Sequence, residues 1–248
     1  MNNKFNFKRF CQVVANDGRL YLRKFGIGLL VWISLPILLW ISALVFEIDM
    51  DFPIRFAFIQ TFIAGTVMTV PAIVYGKVNL AREGVGFAML PATSTEKFLS
   101  MVFYCSIVTP LLCFIGCLIV DSFLTLLPFG GFKEFINLFG KEIFEDDYVF
   151  PVYFYIWTAM AFIAESSAFM LGNMIFRKRK TGKTFAWISL ILFVLILVIQ
   201  IPPLFDGLDY LMNLTTEHLS YWISVILLLV IATSFNLLTY RKIKNQKY

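Results

Sequence analysis

The chain has 248 residues, 59% of them hydrophobic and only 15% charged, with mean hydropathy +0.79. A soluble domain averages about 45–50% apolar and about 25% charged residues, so the apolar excess here is more than one water-facing core buries. Together with 28 phenylalanines, this excludes an ordinary soluble domain and points to an integral membrane protein. The net charge of +5 does not argue for nucleic acid, because the basic residues are segregated by loop, which is a topological pattern.

In chain order, the first ~25 residues are polar and basic without an isolated apolar run, so no signal peptide is expected. Residues 5–25 read as an amphipathic helix. Phe7, Phe10, Cys11, Val14, Tyr21, Leu22 and Phe25 follow helical spacing, with Lys8, Gln12, Arg19 and Arg23 on the other side. Such a helix is expected to lie in the cytoplasmic headgroup layer, its basic face toward anionic lipid, although Gly18 weakens its middle. A plain basic flank is the alternative to the interfacial helix, which is the reading preferred.

A spanning helix needs about 20 mostly apolar residues. Six segments qualify: residues 26–46, 57–75, 99–120, 152–176, 185–204 and 219–238. The second contains Gln60 and Pro71, and the fifth ends in Gln200, Pro202 and Pro203. With six spans, 18 of the 21 Lys and Arg fall on one side, leaving Arg55, Lys133 and Lys141 on the other. Because Lys and Arg are held in the cytoplasm, both termini are expected inside. The acidic residues Glu47, Asp49, Asp51, Asp121, Glu145, Asp146, Asp147, Asp206 and Asp209 all fall outside, in agreement. The expected fold is therefore all-α, one membrane domain over residues 1–248 with six transmembrane helices, cytoplasmic termini and an N-terminal interfacial helix.

The external loop 121–150 carries an apolar face of Phe132, Phe135, Ile136, Phe139, Ile143 and Phe144, which reads as a short helix on the outer leaflet. After the Pro202-Pro203 break, residues 208–212 read as a short turn dipping back, and Asn213-Leu-Thr is too common a pattern to interpret.

Catalytic sets are hard to assemble from this sequence. The single histidine, His218, lies in an external loop, so a zinc site of the usual kind lacks ligands. No Ser/His/Asp set and no paired carboxylates fall within the spans. Lys180-Thr-Gly-Lys-Thr184 ends like a phosphate-binding loop, but Arg177 stands where its first glycine belongs. No enzymatic activity, metal or cofactor of its own is expected. Cys11, Cys105, Cys113 and Cys117 sit in or beside apolar segments and read as packing residues rather than a disulfide framework, although Cys113 and Cys117 share a helical face that could bind metal.

Glu165 is the one ionisable residue read as deep within a span. A carboxylate there costs about 2.5–3.5 kcal/mol on insertion scales, so it must face the protein interior or water, or be protonated. It shares a face with Ala161, Ala168 and Gly172, whose small size permits close helix contact, and Ser166, Ser167 and Asn173 lie nearby. Glu165 and Asn173 are thus candidates for a substrate or proton path, or for a polar contact between helices or subunits.

The stretch 77–98, KVNLAREGVGFAMLPATSTEKF, is the chemically richest loop and falls on the cytoplasmic side. Residues 79–90 are expected to form one or two helical turns. Pro91 disfavours helix at Leu90, Thr93 is placed to cap a new helix from Ser94, and Glu96 completes a capping box. That arrangement resembles the loop between spans two and three of type-2 ABC exporter permeases. The matching residues are Arg82-Glu83-Gly84, Leu90-Pro91, Thr93 or Ser94, Glu96 and Lys97. The chain departs from the family in its small size and in its long apolar loop between spans three and four.

The resemblance implies a permease that pairs with a second permease subunit, as a homo- or heterodimer, and with a separate cytoplasmic ATPase that binds the ATP. Arg82, Glu83, Leu90, Pro91, Thr93, Glu96 and Lys97 would form or shape the ATPase contact. Substrate would pass between two subunits in a bacterial plasma membrane. The alternatives are a membrane scaffold or sensor component, and a proton-coupled carrier using Glu165.

Overall fold

In a computed structural model, residues 5–48, 50–80, 84, 87, 89–127, 132, 152–199 and 217–245 are described. Among them the regular structure is helical, as predicted: α1 Phe7–Val45, α2 Phe52–Val74, α3 Ser94–Thr125, α4 Val152–Ile175, α5 Lys180–Ile199 and α6 Glu217–Lys244. Among the described residues, α1, α2, α3, α4 and α6 each hold a stretch long and apolar enough to cross a bilayer. The chain is thus an all-helical, multi-pass membrane protein. Helix α5 overlaps the fifth predicted segment. Two compact units emerge, one of Met1–Val74 and Ala92–Pro151, the other of Tyr75–Pro91 and Val152–Tyr248.

In the first unit the predicted boundary between interfacial helix and first span is not a break. Helix α1 runs uninterrupted for 39 residues, about 58 Å, against a hydrocarbon core of about 30 Å. The reason is packing. Val13, Asp17, Tyr21, Phe25 and Leu29, one stripe at four-residue spacing, are buried and hold the helix through Gly18 and Gly26. Of the residues assigned to the lipid-facing side, Phe7, Cys11 and Leu22 are exposed, whereas Tyr21 and Phe25 are buried inside the protein.

Helices α2 and α3 supply matching stripes. On α2 these are Phe56, Ile59, Ile63, Val67, Val70 and Val74; on α3, Met101, Cys105, Cys113, Cys117 and Leu124. Three of the four cysteines are therefore core residues, and Cys11 is exposed. Helix α2 comes close to α1 where the Trp32 ring lies over Gly65, so near that a Cβ there would fall 2.2 Å from it.

Three prolines lie within these helices. Pro36 lies within α1 and gives no N–H to the Trp32 carbonyl; the Cys117 thiol points to that oxygen at 4.0 Å. Pro71 lies within α2 in the same way. Pro110 sits just after a π-helical turn, Phe103–Val108, that interrupts α3. Its ring and missing donor disfavour regular α-geometry in the preceding turn, and the wider turn accommodates this. The Thr109 N–H bonds the Tyr104 carbonyl five residues back, and its hydroxyl reaches the same oxygen at 2.7 Å.

That turn aims Tyr104 at α1. Its hydroxyl donates to the Val14 carbonyl at 2.9 Å, its ring stacks on Tyr21 at 5.5 Å, and the Tyr21 and Thr109 hydroxyls hydrogen-bond at 3.2 Å. Tyr104 can cross α1 only because residue 18 has no side chain; a Cβ on Gly18 would sit 2.4 Å from the Tyr104 hydroxyl oxygen. The glycine that weakens an isolated helix here makes room for a helix–helix hydrogen bond.

Of the external segment 121–150, only the first turns and Phe132 are described, so the rest of its predicted outer-leaflet helix lies outside the described residues. Phe132 itself is buried with Ala43 and Leu124. The turn expected at 208–212 also lies outside them.

In the second unit α4 and α6 form the main contact. Ala164, Met170 and Met174 are buried on α4, and Ala232, Thr239 and Ile243 on α6. The Asn236 amide donates to the Ser167 hydroxyl at 2.8 Å between them. The predicted small-residue face does allow close approach: at Gly172 a Cβ would fall 1.9 Å from the Thr184 hydroxyl oxygen of α5. Lys180-Thr-Gly-Lys-Thr184 forms the first turn of α5, not a loop that could wrap a phosphate.

The Gly18–Tyr104 fit yields a double-mutant test. Gly18→Ala lowers stability by about 1–3 kcal/mol through overpacking, and Tyr104→Phe by about 0.5–1.5 kcal/mol through loss of its hydrogen bond. Because Phe lacks the oxygen that clashes, Gly18→Ala costs clearly less in the Tyr104→Phe background. Thermal unfolding in detergent reads this, and strictly additive shifts would refute the fit.

Candidate functional site

The predicted cap at the start of α3 is present in full. The Thr93 hydroxyl accepts from the Glu96 N–H at 3.3 Å, and the Glu96 carboxylate accepts from the Thr93 N–H at 2.9 Å. The second carboxylate oxygen, Oε1, accepts from the Asn6 N–H at 2.8 Å and from Arg9 Nη2 at 3.1 Å. Asn6 in turn caps α1, its Oδ1 accepting from the Lys8 N–H at 2.9 Å. One carboxylate therefore joins the N-termini of two helices, where unpaired N–H groups and helix dipoles both favour negative charge.

This changes what Glu96 can do. Its side chain is 0% exposed; it shapes the corner and does not offer itself to a partner. Lys97 is also buried. Beside them Ser100 donates to the buried carboxylate of Asp17 at 2.7 Å. Of this end of the loop, Thr93 is half-buried and Thr95 is exposed.

The start of the loop belongs to the second unit, where α4 and α5 hold it. The Asn173 amide donates to the Tyr75 carbonyl at 3.2 Å, Lys180 Nζ to the Gly76 carbonyl, and the Asn79 amide to the Phe176 carbonyl at 3.5 Å. Asn173, a sequence candidate for a substrate path, is thus a buried strut for the chain entering the loop. The Gly84 N–H donates to the Leu80 carbonyl at 2.7 Å, and residues 81–83 of the expected short helix lie outside the described residues. Arg82 and Glu83 lie outside the described residues. Leu90 is half-buried, Pro91 is exposed, and Met89, not among the predicted contacts, is 78% exposed.

Glu165 is half-buried on α4 and has no hydrogen bond or ion pair among the described residues. It remains the candidate intramembrane carboxylate, but it is not the lone buried charge. Asp17 and the pair Arg55–Asp121 were missed. Arg55 Nη1 lies 3.7 Å from Asp121 Oδ2, both side chains are at most 2% exposed, and the guanidinium sits 4.6 Å over the Phe132 ring. A usable signal existed: Arg55 is the one basic residue at the opening of α2, and Asp121 the one acid at the close of α3.

No family model matches the chain, and neither a curated protein nor a solved structure matches it.

The double-headed cap predicts an ordered series. Glu96→Ala removes the cap and strands two backbone donors, and costs about 2–4 kcal/mol. Arg9→Ala costs about 1 kcal/mol, because Arg9 is partly solvated and the backbone donors keep their partner. Thermal melts of detergent-solubilised protein that place Arg9→Ala level with Glu96→Ala would contradict the assignment.

Proposed function

We propose that the chain is the permease subunit of an ABC exporter in a bacterial plasma membrane. In this reading α5 is a sixth span, both termini are cytoplasmic, and the exposed Phe7, Cys11 and Leu22 of α1 meet the headgroup layer beside Lys8, Arg19 and Arg23. Two permease subunits form the path, and a separate cytoplasmic ATPase binds ATP and drives them.

The observation that carries the reading is how each end of the 77–98 stretch is anchored within its own unit. Its start is tied to the ends of α4 and α5, and its finish is a doubly anchored cap leading straight into a spanning helix. Between the anchors, Met89 and Pro91 are exposed and supply an apolar foot for the ATPase, with Arg82 and Glu83 adjoining in sequence. The buried Glu96 and Lys97 hold the start of α3.

The proton-coupled carrier rests on Glu165, an intramembrane carboxylate with no partner among the described residues. If that reading is right, Glu165→Gln abolishes proton-dependent flux in proteoliposomes. Unchanged flux removes it.

For the exporter, co-expression with an ATP-binding-cassette subunit encoded beside it should yield a complex that survives detergent purification. Met89→Asp should reduce ATPase retention about tenfold, the loss expected when a single anchoring contact worth ~1.4 kcal/mol is removed. A chain that never retains an ATPase, or a Met89→Asp variant that retains it fully, would sink the proposal.

A further inference from the structure

The second unit carries a composite cleft with the chemistry of a lipid seat. At the end where α6 finishes, a cavity of about 500 Å³ is lined by Asn79, Leu171, Met174, Leu238, Arg241 and Lys242. A second cavity of about 330 Å³ lies between α4, α5 and α6, walled by Ala168, Gly172, Trp187, Ile188 and Phe235. The two meet at Leu171 and Ile175, which line both.

On α6 the apolar cavity's Phe235 lies six residues, about 9 Å, before Arg241, while on α4 the two cavities overlap between Leu171 and Ile175. Arg241 and Lys242 are exposed and have no ion pair among the described residues. Basic residues in a last turn complement the helix dipole, but that role requires no cavity. An apolar groove against lipid requires no cations either. A cationic cradle opening onto an apolar groove fits a molecule with an anionic head and a hydrocarbon tail, and basic pockets between membrane helices take such headgroups.

We propose that this cleft seats one anionic phospholipid of the leaflet on the basic side. Its phosphate rests on Arg241 and Lys242, and an acyl chain lies along Ala168, Trp187 and Phe235. Inorganic phosphate has no use for the groove, and a zwitterionic lipid gains less from the two cations. The assignment needs no ATPase partner and stands whether or not the exporter reading does.

The test is native mass spectrometry of the full chain with phosphatidylglycerol or phosphatidylcholine, alongside thermal melts with each lipid or with inorganic phosphate. The expected result is preferential retention of phosphatidylglycerol, reduced about tenfold or more in Arg241→Gln/Lys242→Gln. Ala168→Phe, which fills the groove and keeps the charges, should reduce it as well. The charge variant changes exposed positions only and leaves folding intact, so the proposal stays testable if Ala168→Phe does not fold. Equal retention of the two lipids, undiminished retention in the charge variant, or equal stabilisation by inorganic phosphate would each overturn it.

Discussion

Glu96 accepts from the Thr93 and Asn6 N–H groups and from Arg9, and through those bonds it fixes where two helices begin. The need is general. The first four N–H groups of any helix lack internal partners, and near a bilayer water cannot be relied on to supply them. Using one carboxylate for α1 and α3 sets their relative register. The contacts further along, Asp17–Ser100, Val14–Tyr104, Tyr21–Thr109 and Trp32–Cys117, all presuppose it.

Magnitudes explain why such a seam matters more here than in a soluble protein. Between helices in lipid the hydrophobic effect gives no net drive, because acyl chains are as apolar as leucine. Packing and polar contacts must hold the helices together, and interhelical hydrogen bonds average only about 0.6 kcal/mol each. No single bond decides the unit; the row of contacts does. The Arg55–Asp121 pair adds a different constraint, since each charge buried alone is expensive and together they tie the start of α2 to the end of α3.

The second unit is organised around the chain that enters its loop. Asn173, Lys180 and Asn79 hold three backbone groups there, so Asn173, read as a candidate for a substrate path, also supports the chain entering the loop. Among the described residues of this unit, Glu165 on α4 and Arg241 with Lys242 at the end of α6 take no part in those bonds. The proposed carrier and lipid sites therefore make separate claims on separate residues, and neither rests on the loop.

By itself the sequence determined the helical class, the apolar segments that became the long helices, and the capping box at Thr93 and Glu96. Those are local properties: apolar run length, side-chain type at a fixed offset, and the geometry of one helix turn. It placed a boundary near residue 25 that the structure does not have, because α1 is carried through its glycines by burial of Val13, Asp17, Tyr21 and Phe25. Tertiary structure alone decided that Glu96 serves α1 as well as α3, that Gly18 is a passage for Tyr104, and that Arg55 meets Asp121. Those partners stand about 65 to 90 residues apart, and a residue's spacing from its neighbours carries no record of which distant helix will lie against it.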